Sequence, residues 1–188
     1  MNASNKKKIS IVVPVFNSEK SLVILVEKIK SELVKKNKYD VELILVNDGS
    51  SNKKTSLYLK KIKFNKIRII NLGKNMGQHY ATLNGISLAK NNIIVTLDDD
   101  LQHDPKYVDS MMKHLKKRKL DVVFAKFKEK QSPEIKKIFS RINNFFIKKI
   151  FQMQDDFYLS SFRIFKKDIA SKILKKKYNE PYIGCLIL

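Results

Sequence analysis

The stretch Ile93–Pro105, IIVTLDDDLQHDP, decides how the rest of the chain is read. Its first residues are apolar and largely β-branched, the composition of a buried strand, and they end in three successive carboxylates, Asp98, Asp99 and Asp100. In an extended chain successive side chains alternate faces, so Asp98 and Asp100 are expected on one side and Asp99 on the other. Two carboxylates converging at the carboxyl edge of a sheet repel unless a cation lies between them, and hard oxygen ligands of this kind suit Mg²⁺ or Mn²⁺. Gln102 supplies a further, neutral oxygen nearby. The plainer alternative is a solvated acidic turn in which Asp104 caps the next helix and Pro105 opens it.

Outward from this stretch, short apolar runs recur at Ile9–Val13, Val41–Val46, Ile67–Ile70 and Leu120–Ala125, each reading as a strand. Between them the spacing predicts helices from about Ser18 to Lys36, in a short lysine-rich segment after Ser50, from Gln78 to Lys90, and after Pro105. Alternating strands and helices predict an α/β fold, a mostly parallel sheet with helices on both faces. Ligands in such sheets bind at the carboxyl ends of the strands. The polar punctuation falls there: Pro14–Glu19, Asn47–Ser50, Lys74–Gln78 and Asp98–Gln102 each follow a predicted strand. Beyond Lys126 the alternation breaks, before Ser160–Phe165 reads as one more strand and Lys167–Lys177 as a lysine-rich helix.

At 188 residues, 43% of them hydrophobic, the chain is expected to form a single domain with a sizeable core. A formal net charge of +21 favours anionic partners: nucleic acid, an anionic membrane surface or a phosphate-bearing substrate. Lysines that merely form solvated faces are the bland account of the same excess. Cys185 is the single cysteine, which excludes an intramolecular disulfide and a cysteine zinc cluster and fits a reducing, cytoplasmic setting. No run of about 18 apolar residues predicts a spanning helix. Glu134–Phe151 sets Ile135, Ile138, Phe139, Ile142, Phe145 or Phe146, and Ile150 on one helical face with lysines mostly elsewhere. That pattern suits an amphipathic helix at an anionic membrane interface, or an ordinary helix packed on the core. The apolar run Tyr182–Leu188 has no terminating signal, so the expectation is a domain lacking its C-terminal continuation.

The order PVFNSEKSL, VNDGS, LGKNMGQHYATLNGI, VTLDDDLQHDP and SSFRIF resembles the family 2 glycosyltransferases of the GT-A fold. Within them it is most similar to the polyprenyl-phosphate branch, whose members include dolichyl-phosphate mannose synthase and the undecaprenyl-phosphate sugar transferases. The resemblance implies that Asp98 and Asp100 hold a divalent metal against a nucleotide diphosphate, with Gln102 as a further ligand. It implies base and ribose contacts for Pro14, Phe16 and Asp48. Where the family often has Glu this chain has Ser18, and the adjacent Glu19 is the expected substitute. Asp99 replaces a small residue, adding charge beside the donor site. Lys126 and Arg141 match basic positions that face phosphates, and Arg163 matches the Arg of an FR motif, with Ser161 where an acidic residue often stands.

These residues fit an inverting transfer of a sugar from a nucleotide-sugar donor, UDP- or GDP-linked, to a polyprenyl phosphate. Charge builds on the departing nucleotide diphosphate, and a metal with nearby cations stabilises it. A lipid phosphate is already ionised, whereas a hydroxyl acceptor needs a base, for which Asp155, Asp156 and Glu180 are the candidates. The resulting expectation is a peripheral enzyme at the cytoplasmic face of the membrane. Alternatives are a family 2 enzyme with a hydroxyl acceptor, a shortened inactive homologue, and a basic nucleic-acid-binding module. The last is disfavoured because no helix-turn-helix, zinc-finger or RNP-like pattern occurs and a DDD cluster repels a phosphate backbone.

Overall fold

From Ile9 to Val15 the first strand is buried at every position and apolar at all but Ser10, as suits a strand covered on both faces. The computed structural model describes residues 6–126, 159–175 and 183–187. In it β1 (Lys7–Val15) lies between β2 (Tyr39–Asn47) and β4 (Ile93–Thr96), parallel to both. Ile9, Ile11, Val13 and Val15 point into one core, with Leu22, Leu25, Met112 and Leu115. Val12 points into the other, with Ile44, Val46, Ala81 and Ile86. A strand buried on two faces loses the apolar–polar alternation of a half-exposed one.

Among the described residues six strands form one sheet in the order β3-β2-β1-β4-β6-β5, where β3 is Ile67–Asn71, β5 Val122–Phe124 and β6 Arg163–Lys166. The first four strands are parallel. β6 is antiparallel to both β4 and β5 and separates them. The fifth strand of the alternating series is therefore not β4's neighbour. The segment read as one more strand fills that place and shares backbone pairing with both.

The helices are α1 (Lys20–Ile29), running on as a π-helical segment Lys30–Lys35, then α2 (Lys53–Lys61), α3 (Gln78–Leu88), α4 (Val108–Lys117), α5 (Lys167–Leu174) and the short α6 (Ile183–Leu186). α2 is capped by Asn52, whose side chain accepts from Lys54 N at 2.9 Å, so the cap lies beyond the Asn47–Ser50 turn. Asp104 caps as predicted, accepting from Lys106 N at 3.0 Å, and Pro105 opens the 3-10 turn that leads into α4. No helix among the described residues is long and apolar enough to cross a membrane.

α3 is held against the sheet in two ways. Gly85 lies so close to β1 that an added Cβ would stand 2.3 Å from Val12 Cγ1 and 3.1 Å from Val46 Cγ2. At its C-terminal end, buried Glu42 of β2 accepts from Ser10 Oγ at 2.6 Å, from Lys90 N at 2.9 Å and from Arg68 Nη2. Arg68 Nη1 also donates to Leu88 O at 2.9 Å. A buried carboxylate persists when its oxygens are satisfied in this way. Burial by itself raises the Glu42 carboxyl, but the bonds from Ser10 and Lys90 N and the charge of Arg68 outweigh it and hold the group below its usual range.

Two measurements test this packing. Gly85→Ala is expected to cost about 1–3 kcal/mol through overpacking against a β-branched neighbour, lowering the melting temperature by about 2–4 °C per kcal/mol for a chain of this size. Glu42 has a depressed folded pKa, so its contribution is present above the unfolded value of about 4.3 and fades as pH falls through the lower folded value. The gap in urea midpoint between wild type and Glu42→Gln is therefore expected to be widest near neutrality and to narrow as the solution is acidified below about pH 4.

Candidate active site

The chain runs from β1 outward to β2 and β3, then crosses back to place β4 on β1's other side. The carboxyl ends of β1 and β4 thus form a topological switch point, where crevices open in such sheets. A cleft of about 320 Å³ lies there, lined by Pro14, Val15, Phe16, Asp48, Asn75, Gly77, Gln78, Asp98, Asp99 and Asp100. All four loops singled out in the sequence contribute to it. A larger groove, about 770 Å³, opens at the opposite edge among Lys6, Lys8, Lys30, Tyr39 and Phe64, away from this loop cluster.

The three aspartates diverge. β4 ends at Thr96, so they sit in a bend rather than on a pleat, and the chain reverses through Leu101 at φ 65°. Asp98 Oδ1 accepts from Gln78 Nε2 and Oδ2 from Ser161 Oγ, both at 2.5 Å. Asp99 turns to the β1 loop, where its Oδ2 accepts from Ser18 Oγ. Burial, with added repulsion from Asp98 and Asp100, raises the Asp99 carboxyl above its ordinary value against the opposing Ser18 bond. Asp100 is exposed and its Oδ1 accepts from Gln102 N at 3.0 Å. The expected strand alternation, Asp98 and Asp100 on one side and Asp99 on the other, does not operate in this bend: all three line the cleft, each with its own donor.

Ser18 does not cap α1; its hydroxyl lies against Asp99 and Phe16 O. Glu19, expected to face the nucleotide, accepts from Asn52 Nδ2 at 2.7 Å and lies 3.8 Å from Lys54 Nζ, outside the cleft lining. Phe16 is 47% exposed, an open aromatic face on the wall beside Pro14. Asp48 is 3% exposed, and its two oxygens accept the backbone N–H groups of Met76 at 2.7 Å and Gly77 at 2.9 Å. It fastens the loop before α3. Gly49, at φ 62°, permits this: a Cβ there would stand 2.3 Å from Lys74 C and 2.4 Å from Asn75 N.

Arg163 is buried at the start of β6, its Nε donating to Thr96 Oγ1 at 3.0 Å, and does not line the cleft. Gln102 and Lys126 are exposed and also lie outside the lining. Arg141, the segment 134–151, Asp155, Asp156 and Glu180 fall outside the described residues. His103 is buried, its ring centroid 5.4 Å from that of Phe162. Burial lowers its pKa, and so does Arg163, while Asp98 and Asp100 pull it up. His79, half buried at the start of α3, is lowered by burial and by Arg163 against Asp98.

Gln78 and Ser161 were not read as site residues. Gln78 had a signal, as the first residue of a helix starting at the binding edge. Ser161 stands at a motif position before Phe162-Arg163, but nothing local foretells its reach to Asp98 across 63 residues of sequence.

Among the described residues the cleft lining carries four carboxylates and no basic side chain. Such a wall repels a phosphate group unless a cation is bound with it, which is the chemistry of a Mg²⁺ or Mn²⁺ site shared between protein and ligand. No three His, Cys, Asp or Glu side chains among the described residues close around a point that would hold an ion by themselves. The carboxylate oxygens that Asp98 and Asp100 bring to this lining are of the hard kind such an ion takes, and its remaining ligands would come from a phosphate-bearing ligand and water.

This crossover sheet carries an acidic cleft at its switch point, and residues 10–174 match Glycosyl transferase family 2. The chain belongs to that family. It is 35% identical over 169 residues to dodecaprenyl-phosphate galacturonate synthase of Rhizobium johnstonii, covering 88% of this chain and 49% of the relative. It is 31% identical over 188 residues to undecaprenyl-phosphate 4-deoxy-4-formamido-L-arabinose transferase of Photorhabdus laumondii, covering 99% of this chain and 57% of that protein. The chain thus spans about half the length of the curated relatives it matches. Crystal structures of S. aureus TarS 1-349, alone and in complex with UDP, superpose with a TM-score of 0.64 at 18% identity over 87% of this chain and 48% of theirs, which establishes the GT-A fold.

Gly49→Ala tests the loop clasp. The positive φ alone costs about 1–2 kcal/mol for an L side chain, and the added methyl must push the 73–77 loop off Asp48. Urea unfolding is expected to show at least that loss. Limited proteolysis is expected to find new cutting at Lys74.

Proposed function

We propose that the chain is the catalytic domain of an inverting, metal-dependent transferase that moves a sugar from a UDP- or GDP-sugar to a polyprenyl phosphate, working peripherally at the cytoplasmic face of a membrane. The observation that carries this reading is the acidic cleft at the β1–β4 switch point, where Asp98 and Asp100 stand among four carboxylates in the lining that the described residues form. The names of the relatives, both acting on polyprenyl phosphates, support the acceptor class.

Phe16 and Pro14 offer a flat apolar wall to the base, and the 47% exposure of Phe16 leaves room for stacking. Asp99, held by Ser18, offers acceptor oxygens to hydroxyl or N–H groups of the nucleoside. Asp98 and Asp100 hold the divalent ion, which when bound neutralises charge on the departing diphosphate. Gln78 and Ser161 keep the Asp98 carboxylate aimed before any ligand arrives, so little reorganisation is needed. The acceptor's ionised phosphate oxygen attacks the anomeric carbon as the bond from that carbon to the diphosphate oxygen breaks. One in-line displacement inverts the anomeric centre. No general base is required, because the nucleophile carries no proton to remove.

The test is calorimetric titration of UDP, GDP and their sugar conjugates with Mg²⁺ or Mn²⁺, followed by transfer to a short-chain polyprenyl phosphate. Wild type is expected to bind one nucleotide only when metal is present, and Asp100→Ala to lose that metal-dependent binding. Binding of equal strength in EDTA would falsify the metal role. Transfer to hydroxyl acceptors but not to the lipid phosphate would replace the proposed acceptor.

A further inference from the structure

We propose that His103 is a positioning residue for the Asp98 carboxylate, acting through the acceptor at its Nδ1; the inference rests on the reading of Asp98 as a metal-holding residue. The β1–β4 ladder ends where Thr96 pairs with Val12, and Leu97 N makes the last bond of that edge, to Val12 O at 3.3 Å. Asp98 is the first residue past it. Its backbone N–H has no strand partner and donates instead to His103 Nδ1 at 3.2 Å.

A backbone amide is only a donor, so Nδ1 presents a lone pair and the ring is the neutral tautomer carrying its proton on Nε2. The Asp98 Oδ2 oxygen lies 3.9 Å from the same nitrogen, too far for a hydrogen bond. The imidazole therefore grips the backbone of Asp98, not its side chain. With Gln78 on Oδ1 and Ser161 on Oδ2, Asp98 is fixed at three points, two on the carboxylate and one at its root. The ring is itself held: it is 8% exposed and lies against Phe162 at 32° to the ring plane. His103 thus does for the acidic loop what the next rung of the ladder would have done had β4 continued.

Two substitutions divide the ring's two properties. His103→Phe keeps the packing on Phe162 and removes the acceptor. His103→Asn keeps an acceptor, because its Oδ1 occupies the place of Nδ1 relative to Cβ, and removes the ring. Mn²⁺ affinity is read from the free-ion EPR signal of the full chain with UDP or GDP, whichever wild type binds, and thermal unfolding is followed without metal. Loss of a residue that orients a metal ligand typically costs about 10–100-fold in metal affinity. The expected result is a loss in that range for His103→Phe with a melting temperature near wild type, and a lower melting temperature for His103→Asn with Mn²⁺ affinity largely retained. Hydrogen exchange at the Asp98 amide, measured without metal, is expected to be slow in wild type and His103→Asn and fast in His103→Phe. Wild-type Mn²⁺ affinity in His103→Phe, or equal losses in both variants, would overturn the proposal and leave His103 a packing residue. Failure of wild type itself to bind Mn²⁺ with either nucleotide, alongside the expected exchange pattern, would instead sink the metal-dependent donor reading and the positioning role built on it.

Discussion

Three carboxylates in succession at the end of a buried strand repel one another, and the architecture of the site answers that repulsion by giving each a different donor. Asp98 is met by Gln78 and Ser161, Asp99 by Ser18, and Asp100 by the backbone of its own turn. The donors come from the start of α3, the entry to β6 and the loop after β1. Elements distant in sequence are thereby drawn to one edge of the sheet. Burial, with repulsion from its two like neighbours added, raises the Asp99 carboxyl despite the Ser18 donor.

α3 is the platform on which this depends. Its middle is pressed against Val12 at Gly85, its C-terminal end is tied through Glu42 and Arg68, and the loop before it is tied through Asp48. Contacts at both ends and the centre leave Gln78 little freedom, so its amide meets Asp98 in a set direction. Asp48 is then best understood first as a clasp: its oxygens accept backbone N–H groups, and any contact to a ligand would be additional to that work.

Charge is distributed against the average. A chain of net charge +21 places four carboxylates and, among the described residues, no lysine or arginine in the lining of its candidate cleft. A generally basic surface attracts anions at long range, whereas an acidic lining, on the proposed reading, would admit a phosphate together with a divalent cation. The two features act at different ranges, long for the surface and contact for the cleft. That division speaks for a phosphate-bearing small molecule over nucleic acid, whose backbone would meet the same carboxylates.

Much of the architecture was legible from local patterns. The two-faced burial of β1 follows from the run Ile9–Val13, the Asp104–Pro105 helix start from capping chemistry, and the site's edge from acids and turn residues placed after strands. What tertiary structure alone decided were pairings across long separations: β6 inserted antiparallel between β4 and β5, Ser161 reaching Asp98, Ser18 turning from its helix to Asp99, and Glu19 turning to Asn52. The physical reason is that capping, periodicity and turn preference act within a few residues, whereas a hydroxyl's choice among several acceptors depends on which segments the packed sheet has already brought within 3 Å or so of it.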